Sequence, residues 1–273
     1  MTPDTPNRVR EALVRLDLRP SKRLGQNFLC DGNWIRKAVA ALPPDVPVVE
    51  IGPGLGALTG EALRRGHPVH AVESDERLCR HLADTLAGED FHLSHGDAVE
   101  QPLAGFDPGG APFALLANPP FAITSPWFDA LLQPGRPLPD PLALILQKEG
   151  VARAAAAPGS KAYGPTAIRL ALAYEFESAA PLPRSAFHPQ PGVDSLFAVW
   201  RKRARPRLLR PEQSALLRAL FGNRRKMLRQ GLRKHLPPTD TDRWRAVLAR
   251  HGRDETARPE ELPTELWHEL LCG

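Results

Sequence analysis

The chain has 273 residues, of which 42% are hydrophobic and 25% are charged. This length and balance are typical of an α/β domain followed by a small second domain. No apolar stretch approaches the roughly 20 residues that a membrane-spanning helix needs, and the first residues lack the apolar core of a secretory signal. Cys30, Cys79 and Cys272 have neither the paired spacing of a disulfide framework nor that of a zinc site. These features predict a cytoplasmic protein without a metal site.

The positive charge is concentrated in the last quarter of the chain. Residues 1–200 contain 18 Lys and Arg against 22 Asp and Glu, whereas residues 201–273 contain 18 against 9. Residues 201–237 alone contain 13 basic residues and one acidic residue. Blocks of like charge repel one another, so this block favours a surface that binds phosphate backbones. A solvated basic helix is the alternative.

The apolar pattern predicts alternating helices and strands along the first 150 residues. One helix is expected over residues 7–18, and a second begins at Asp31. Further helices are expected over 57–65 and 75–87, and the strands are expected over 47–52, 68–74, 91–97, 113–118 and 141–148. This alternation predicts a doubly wound, mostly parallel sheet. Extended runs at 174–179 and 196–201 are expected to add antiparallel strands at its edge.

After Arg203 the pattern is purely helical. It predicts one basic amphipathic helix from Pro211 to about Lys234, a second from about Asp240 to His251, and a third after Pro263. We therefore expect two domains. The α/β domain covers residues 1–204 and begins with a helical segment over 1–40, and a basic helical domain covers residues 205–273.

A glycine-rich turn follows the first strand of the predicted sheet. Gly52, Gly54 and Gly56 allow the backbone to approach a ligand closely, and the next helix directs its N–H groups towards that ligand. Glu73, about twenty residues further on, is placed to bind ribose hydroxyls, with a surface carboxylate as the alternative. The glycine spacing also fits NAD sites, so this turn alone does not separate NAD from S-adenosylmethionine.

Two further strand ends favour S-adenosylmethionine. Asp97, in Gly96-Asp97-Ala98, offers a carboxylate that can accept a hydrogen bond from an adenine amino group, although it also fits a helix cap. Asn118-Pro119-Pro120-Phe121 directly follows an apolar strand and combines an amide, two prolines without N–H groups and an aromatic ring. This combination suits a planar heterocyclic amine stacked on Phe121. A proline-rich turn that ends a buried strand is the alternative.

These motifs together resemble the ribosomal RNA adenine N6-dimethyltransferases, typified by the kasugamycin-sensitivity enzyme. The resemblance extends to residues 24–29, 146–149, 158–164, 187–195, 221–229 and 258–262. The last two segments favour this family over the related erythromycin-resistance methyltransferases. The family usually has Leu at Pro119 and Tyr at Phe121, and Pro-Pro is common in DNA amino-methyltransferases, so the substrate polymer is left open.

The resemblance implies a Rossmann-like, S-adenosylmethionine-dependent methyltransferase with a small all-helical C-terminal domain. It implies methylation of N6 of adenines in ribosomal RNA, namely two adjacent adenosines in a hairpin near the 3′ end of 16S rRNA. The expected partners are ribosomal RNA and the small ribosomal subunit precursor, with the enzyme a monomer. The residues expected to bind the cofactor are Gln26, Asn27, Leu29, Glu50, Gly52, Gly54, Glu73, Asp97, Ala98 and Asn118.

The resemblance also assigns catalytic and RNA-binding residues. The target base is expected to contact Asn118, Pro119, Phe121 and Phe187, where Phe187 would stack on the base or, alternatively, would be only a core aromatic. The residues expected to bind RNA are Arg224, Arg225, Lys226, Arg229 and Arg233. Three alternatives remain open: an adenine methyltransferase for 23S rRNA or DNA, a non-catalytic ribosome-assembly or RNA-binding factor, and a dehydrogenase.

Overall fold

The computed structural model describes residues 3–20 and 26–273. Within these residues the helices are α1 (Pro6–Arg15), α2 (Gly32–Ala40), α3 (Ala57–Arg64), α4 (Glu76–Thr85), α5 (Thr124–Leu131), α6 (Lys148–Ala154), α7 (Pro165–Ala173), α8 (Pro211–Phe221), α9 (Leu228–His235), α10 (Pro238–Arg250) and α11 (Thr264–Cys272). The strands are β1 (Phe28–Leu29), β2 (Val48–Ile51), β3 (Val69–Glu73), β4 (Phe91–His95), β5 (Ala114–Ala117), β6 (Leu142–Gln147), β7 (Tyr174–Leu182), β8 (Phe187–His188) and β9 (Ser195–Lys202).

Seven strands form one sheet in the order β4-β3-β2-β5-β6-β9-β7. The pairs from β4 to β6 are all parallel, and β9 pairs with β6 in the antiparallel direction. β1 and β8 form a separate antiparallel pair. The predicted doubly wound, mostly parallel sheet with a Rossmann-like fold is therefore confirmed.

The centre of the sheet is fully buried, and it is apolar except for Glu50 in β2. Every residue of β2 and of β5 is buried, as expected for central parallel strands. The edge strand β4 is partly exposed along its length. Helices α2 and α3 contribute Ile35, Val39 and Leu58 to the core cluster that contains these strands.

Aspartates determine where two of the helices begin. The Asp31 side chain accepts hydrogen bonds from the N–H groups of Asn33 and Trp34 at 2.9 and 3.1 Å, which caps α2. Asp75 accepts from the N–H of Arg77 at 2.9 Å and caps α4. Both positions coincide with the predicted starts, because capping is a local signal in the sequence.

The chain divides into two compact units. The first contains the described residues of 1–131 with 137–151 and 176–202, and the second contains 132–136, 152–175 and 203–273. The domain boundary predicted between residues 204 and 205 stays a prediction. In the structure, residues 152–175 group with the C-terminal residues in the second unit. Helix α7 is the reason, since Ala167, Ile168 and Leu172 belong to the core of the second unit.

The core of the second unit is aromatic. Tyr163, Trp244 and Trp267 are each at most 1% exposed, and all three belong to one hydrophobic cluster. The Tyr163 hydroxyl lies 3.1 Å from both the Leu262 carbonyl oxygen and the Thr264 hydroxyl. The segment 158–164 therefore has a structural role in this unit.

The single helix predicted from Pro211 to Lys234 is wrong. Helix α8 ends at Phe221 and α9 begins at Leu228. The N–H groups of Leu228 and Arg229 donate to the carbonyls of Ala257 and Glu255, each at 2.8 Å, instead of continuing α8. A Cβ on Gly231 would lie 2.6 Å from Leu220 Cδ2, so the absent side chain lets α9 pack closely on α8. Such tertiary contacts override the helical period of the sequence.

No helix among residues 3–20 and 26–273 is both long enough and apolar enough to cross a bilayer.

Gly56 provides a test of how the turn before α3 is built. Its φ is 79°, and a Cβ there would lie 2.8 Å from Leu82 Cδ2, a buried atom. We expect Gly56→Ala to lower the free energy of unfolding by about 2–4 kcal/mol, since left-handed strain and overpacking add. Urea denaturation measures this change.

Gly66→Ala is the matched control. Gly66 has a φ of 85°, but nothing lies within 4 Å of its added Cβ. In this variant the free energy of unfolding should fall only by the contribution of backbone strain, about 1–2 kcal/mol. Equal losses in the two variants would show that the contact with Leu82 is unimportant.

Candidate active site

A cavity of about 250 Å³ lies in the first unit at the carboxyl ends of β2, β3, β4 and β5. The register of the sheet brings these ends together, because Ile51 pairs with both Val72 and Ala117. The residues that follow these three positions are Gly52, Glu73 and Asn118. In open parallel sheets this edge is the usual place for a ligand.

The turn after β2 requires glycine. Gly52, Gly54 and Gly56 have φ values of 66°, 60° and 79°. A Cβ on Gly54 would also lie 3.2 Å from the Phe28 ring. The turn therefore exposes backbone to the cavity beside an aromatic ring that the sequence analysis did not single out.

Glu73 links the end of β3 to this turn. Its Oε1 accepts hydrogen bonds from the N–H groups of Ser74 at 2.8 Å and Asp75 at 3.0 Å, and its Oε2 accepts from Gly54 N–H at 3.1 Å. The side chain is buried, which excludes the alternative of a surface carboxylate. Burial raises the pKa of Glu73, and the three backbone donors oppose that increase.

Glu50 is a second buried carboxyl that lines the cavity. The Thr59 hydroxyl donates to its Oε2 at 2.6 Å. Burial raises the pKa of Glu50 from its ordinary value of 4.5 to about 8, with a smaller contribution from Glu73 in the same direction. Glu50 is therefore largely protonated at neutral pH.

Asp97 both caps a turn and lines the cavity. Its Oδ1 accepts from the N–H of Val99 at 2.8 Å. Its other oxygen has no donor among the residues that the structure describes. The helix-cap alternative considered for Asp97 is wrong, because a turn and not a helix follows it, and one oxygen serves that turn while the other can serve a ligand.

The Asn118 amide is held in one orientation. Its Nδ2 donates to the backbone carbonyl of Asn27 at 3.0 Å. The side-chain oxygen Oδ1 has no donor within residues 3–20 and 26–273. A half-buried amide oxygen at a cavity without a partner is an acceptor that a ligand can use.

The structure places the expected cofactor residues together. All ten of them line this cavity: Gln26, Asn27, Leu29, Glu50, Gly52, Gly54, Glu73, Asp97, Ala98 and Asn118. Residues 21–25, which include Leu24 and Gly25 of the same motif, lie outside the described residues. The assignment of each residue to a part of the cofactor stays a prediction.

The other expected catalytic residues have different positions. Pro119 is buried, and Phe121 is half-buried at the start of a 3-10 helix (Phe121–Ile123). Neither residue belongs to the described lining of the cavity, although Pro120 and Ile123 do. Phe187 is 3% exposed, lies in the core cluster and pairs with Leu29 across β1 and β8. Its position favours the core-aromatic alternative over stacking on a base.

Sequence reasoning missed two residues of the site. The Phe28 ring packs against Gly54, and Thr59 is the donor to Glu50. Phe28 lies between Asn27 and Leu29, so that motif was a signal for it. Thr59 had no such signal, because its contact with Glu50 depends on where α3 packs.

The five expected RNA-binding residues are not equivalent. Arg225, Lys226, Arg229 and Arg233 are exposed. Arg224 is half-buried, and its guanidinium lies 2.9 Å from the Glu260 carboxylate. Arg224 therefore stabilises the second unit, and the other four residues remain available at the surface.

The family model for ribosomal RNA adenine dimethylases matches residues 17–269. The chain belongs to the ribosomal RNA adenine dimethylase family. It is 44% identical to ribosomal RNA small subunit methyltransferase A of Opitutus terrae, over 98% of both chains. It is 37% identical to the protein of the same name from Geobacillus kaustophilus, over 94% of this chain and 92% of the relative.

Solved structures support the same fold. The 23S rRNA methyltransferase ErmE is 26% identical with a TM-score of 0.63, covering 90% of this chain and 98% of that one. A dimethyladenosine transferase from Plasmodium falciparum is 23% identical with a TM-score of 0.69, covering 87% of this chain and 94% of that one.

Members of this family are S-adenosylmethionine-dependent methyltransferases, and this adenine dimethylase is such an enzyme. The cavity fits the cofactor for two reasons. The turn at Gly54 has no side chain, whereas a Cβ there would crowd the Phe28 ring. Glu73, Asp97 and Asn118 offer acceptors for the hydroxyl and amino groups of the cofactor. The dehydrogenase and non-catalytic alternatives are thereby overturned. The described residues contain no group of three or more His, Cys, Asp or Glu that could hold a metal ion.

The buried Glu50 carboxyl predicts a dependence of stability on pH. Below its ordinary pKa of 4.5 the carboxyl is neutral in both the folded and the unfolded protein. As the pH rises towards about 8, the unfolded chain ionises first, so the folded state loses stability by roughly a few kcal/mol. Urea denaturation at a series of pH values measures this loss.

Glu50→Gln removes the titrating group and keeps the shape of the side chain. The difference in free energy of unfolding between wild type and variant should therefore change by at least about 1 kcal/mol in favour of the variant between pH 5 and pH 8. Parallel pH profiles of the two proteins would show that Glu50 does not have a raised pKa.

Proposed function

We propose that this adenine dimethylase transfers methyl groups from S-adenosylmethionine to N6 of two adjacent adenosines in a hairpin near the 3′ end of 16S rRNA. The observation that carries the proposal is the oriented Asn118 amide, whose free oxygen lies at the cavity beside the glycine turn. The small-subunit target is supported by the name of the relatives that are 44% and 37% identical.

The residues that would hold the cofactor follow from the cavity. By the family resemblance, Gly52 would contact its methionyl part, Glu73 would accept hydrogen bonds from its ribose hydroxyls, and Asp97 would accept from its adenine amino group. When bound, the cofactor supplies an electrophilic methyl group on a sulfonium sulfur.

The chain itself would position and activate the target amine. The lone pair of adenine N6 is delocalised into the ring, which makes the nitrogen a poor nucleophile. Before the first transfer, Asn118 Oδ1 and the Pro119 carbonyl would accept its two hydrogens and localise the lone pair, so that no general base is needed before attack. The methylated nitrogen would then release one proton to solvent, and its remaining hydrogen would keep one of these acceptors for the second transfer. Correct positioning of the reactants can contribute about 7–11 kcal/mol.

The aromatic contacts of the target base need revision in this proposal. Phe121 would stack on the extruded base, contributing roughly 1–3 kcal/mol. Phe121 is half-buried and lies in the chain between Pro120 and Ala122, which line the cavity, so part of its side chain is accessible. Phe187 is not part of the proposed mechanism, because its ring lies in the core.

The basic surface of the second unit would hold the RNA around the target. Arg225, Lys226, Arg229 and Arg233 are exposed, and none of these side chains has a hydrogen bond or ion pair with another described residue. We also propose that the enzyme is a monomer and that it acts in the cytoplasm on a precursor of the small ribosomal subunit. The target must be unpaired, because an A-form helix hides its base edges.

Asn118→Ala tests the mechanism. Loss of the acceptor oxygen should lower kcat for methylation of small-subunit rRNA by about 10³-fold, within the range that a positioned polar group contributes. The assay follows transfer of labelled methyl groups. Supplying 23S rRNA and DNA in parallel distinguishes the alternative substrates.

Asn33→Ala is the matched control, since Asn33 is exposed and outside the cavity lining. Its activity should equal that of the wild type, and both variants should melt as folded proteins. Substantial turnover by Asn118→Ala would contradict the mechanism.

The double change Arg225→Gln and Arg229→Gln tests the RNA surface. It should weaken binding of small-subunit rRNA and reduce the slope of log K against log salt by about 1 for each phosphate that the variant no longer neutralises. Affinity for S-adenosylmethionine should stay unchanged. Filter binding over a range of salt concentrations measures both the affinity and the slope.

Arg80→Gln serves as the control for a change of charge, because Arg80 is an exposed arginine of α4 in the first unit. It should leave the salt slope unchanged. An unchanged slope in the Arg225 and Arg229 variant would remove these residues from the RNA surface.

A further inference from the structure

A second cavity, of about 240 Å³, lies within the second unit. We call it the α8–α9 cavity, because it is lined by the end of α8, the turn over residues 222–227, helix α9 and Pro259. Its volume is close to the 250 Å³ of the cavity at the sheet edge, which fits a nucleoside-containing cofactor. The α8–α9 cavity is therefore large enough to consider for a ligand of nucleotide size.

The lining of this cavity includes polar side chains that have no partners within the described part of the protein. Two cationic groups, two amides and an imidazole line it without a hydrogen bond or ion pair to any described residue: Lys226, Lys234, Asn223, Gln230 and His235. Two arginines of the same unit are instead paired with carboxylates, Arg224 with Glu260 and Arg245 with Glu255. The lysines of the cavity are thus free to bind an external anion.

Apolar residues also line the cavity. They are Ala219, Leu220, Leu228, Pro259 and Met227, and the Met227 side chain is among the few large hydrophobic ones that are exposed, at 40%. A thioether makes favourable contacts with aromatic rings and adapts to their shape. An apolar lining that includes a methionine therefore suits a flat heterocycle.

We propose that the α8–α9 cavity binds one unpaired nucleotide of the substrate RNA. This inference rests on the proposed function, in which the substrate is an RNA. Lys226 and Lys234 bind the phosphate, and the base packs against Met227. Asn223 and Gln230 each carry a donor and an acceptor for the base edge, as amides do when they bind adenine.

The recognition differs from that of the basic surface. Arg225, Arg229 and Arg233 do not line the cavity, and they offer charge and guanidinium N–H donors to phosphates. The cavity adds apolar residues and amide groups, which allow it to select an unpaired base. It would fix the register of the RNA on the second unit.

The two methionines of the chain, Met1 and Met227, permit a direct test. Protein labelled with ¹³C at the methionine methyl groups gives one signal for each, and Met227→Leu assigns the second. Adenosine monophosphate is added to the full-length protein that is saturated with S-adenosylhomocysteine, which occupies the first cavity. The expected result is a saturable shift of the Met227 signal.

The variants locate the phosphate-binding groups. Lys226→Gln with Lys234→Gln should weaken the adenosine monophosphate response about tenfold or more, since both cations that bind the phosphate are removed. Arg253→Gln, a change at an exposed arginine outside the cavity lining, is the matched control and should respond as the wild type does.

Two results would overturn the inference. No saturable shift of Met227 at millimolar adenosine monophosphate would show that the cavity does not take a nucleotide. If inorganic phosphate bound with the same affinity as adenosine monophosphate, the cavity would be an anion site that makes no contact with the base. Failure of the proposed function would be seen separately, as absent methylation of rRNA while the Met227 response is intact.

Discussion

The hydrogen bond from Gly54 N–H to the Glu73 carboxylate is the contact on which the active site depends. A buried carboxylate is costly unless donors surround it, so Glu73 requires the backbone N–H groups of Ser74, Asp75 and Gly54. The turn after β2 can supply its donor only with a positive φ at Gly54. This one constraint joins the ends of two parallel strands and defines the cavity between them.

The opposite wall is fixed by a contact between residues far apart in the chain. Asn118 follows β5, and its amide donates to the carbonyl of Asn27, which precedes β1. β1 in turn pairs with β8, which brings Phe187 beside Leu29 in the core. The core position of Phe187 thus supports the strand that directly follows Asn27, and the orientation of the Asn118 amide depends on the Asn27 carbonyl.

The sequence predicted the sheet, because the signals for its strands and helices are local, and the residues expected at the cofactor line one cavity. Positive-φ glycines and the capping residues Asp31 and Asp75 each act within a few positions of the chain. The break between α8 and α9 was not predictable in this way. It depends on the approach of Gly231 to Leu220 and on carbonyls of residues 255 and 257, which no local pattern shows. The pairing of Arg224 with Glu260 was hidden for the same reason.

The measurement that tests the account most directly is calorimetric titration of S-adenosylmethionine into wild type and Glu73→Gln. The glutamine amide has one acceptor fewer, so it cannot accept from Gly54 N–H and from the N–H groups of Ser74 and Asp75 together. The account predicts a folded variant whose affinity is lower by about tenfold or more, as expected when a hydrogen bond to a charged group is removed. An unchanged affinity would contradict the central role of this carboxylate.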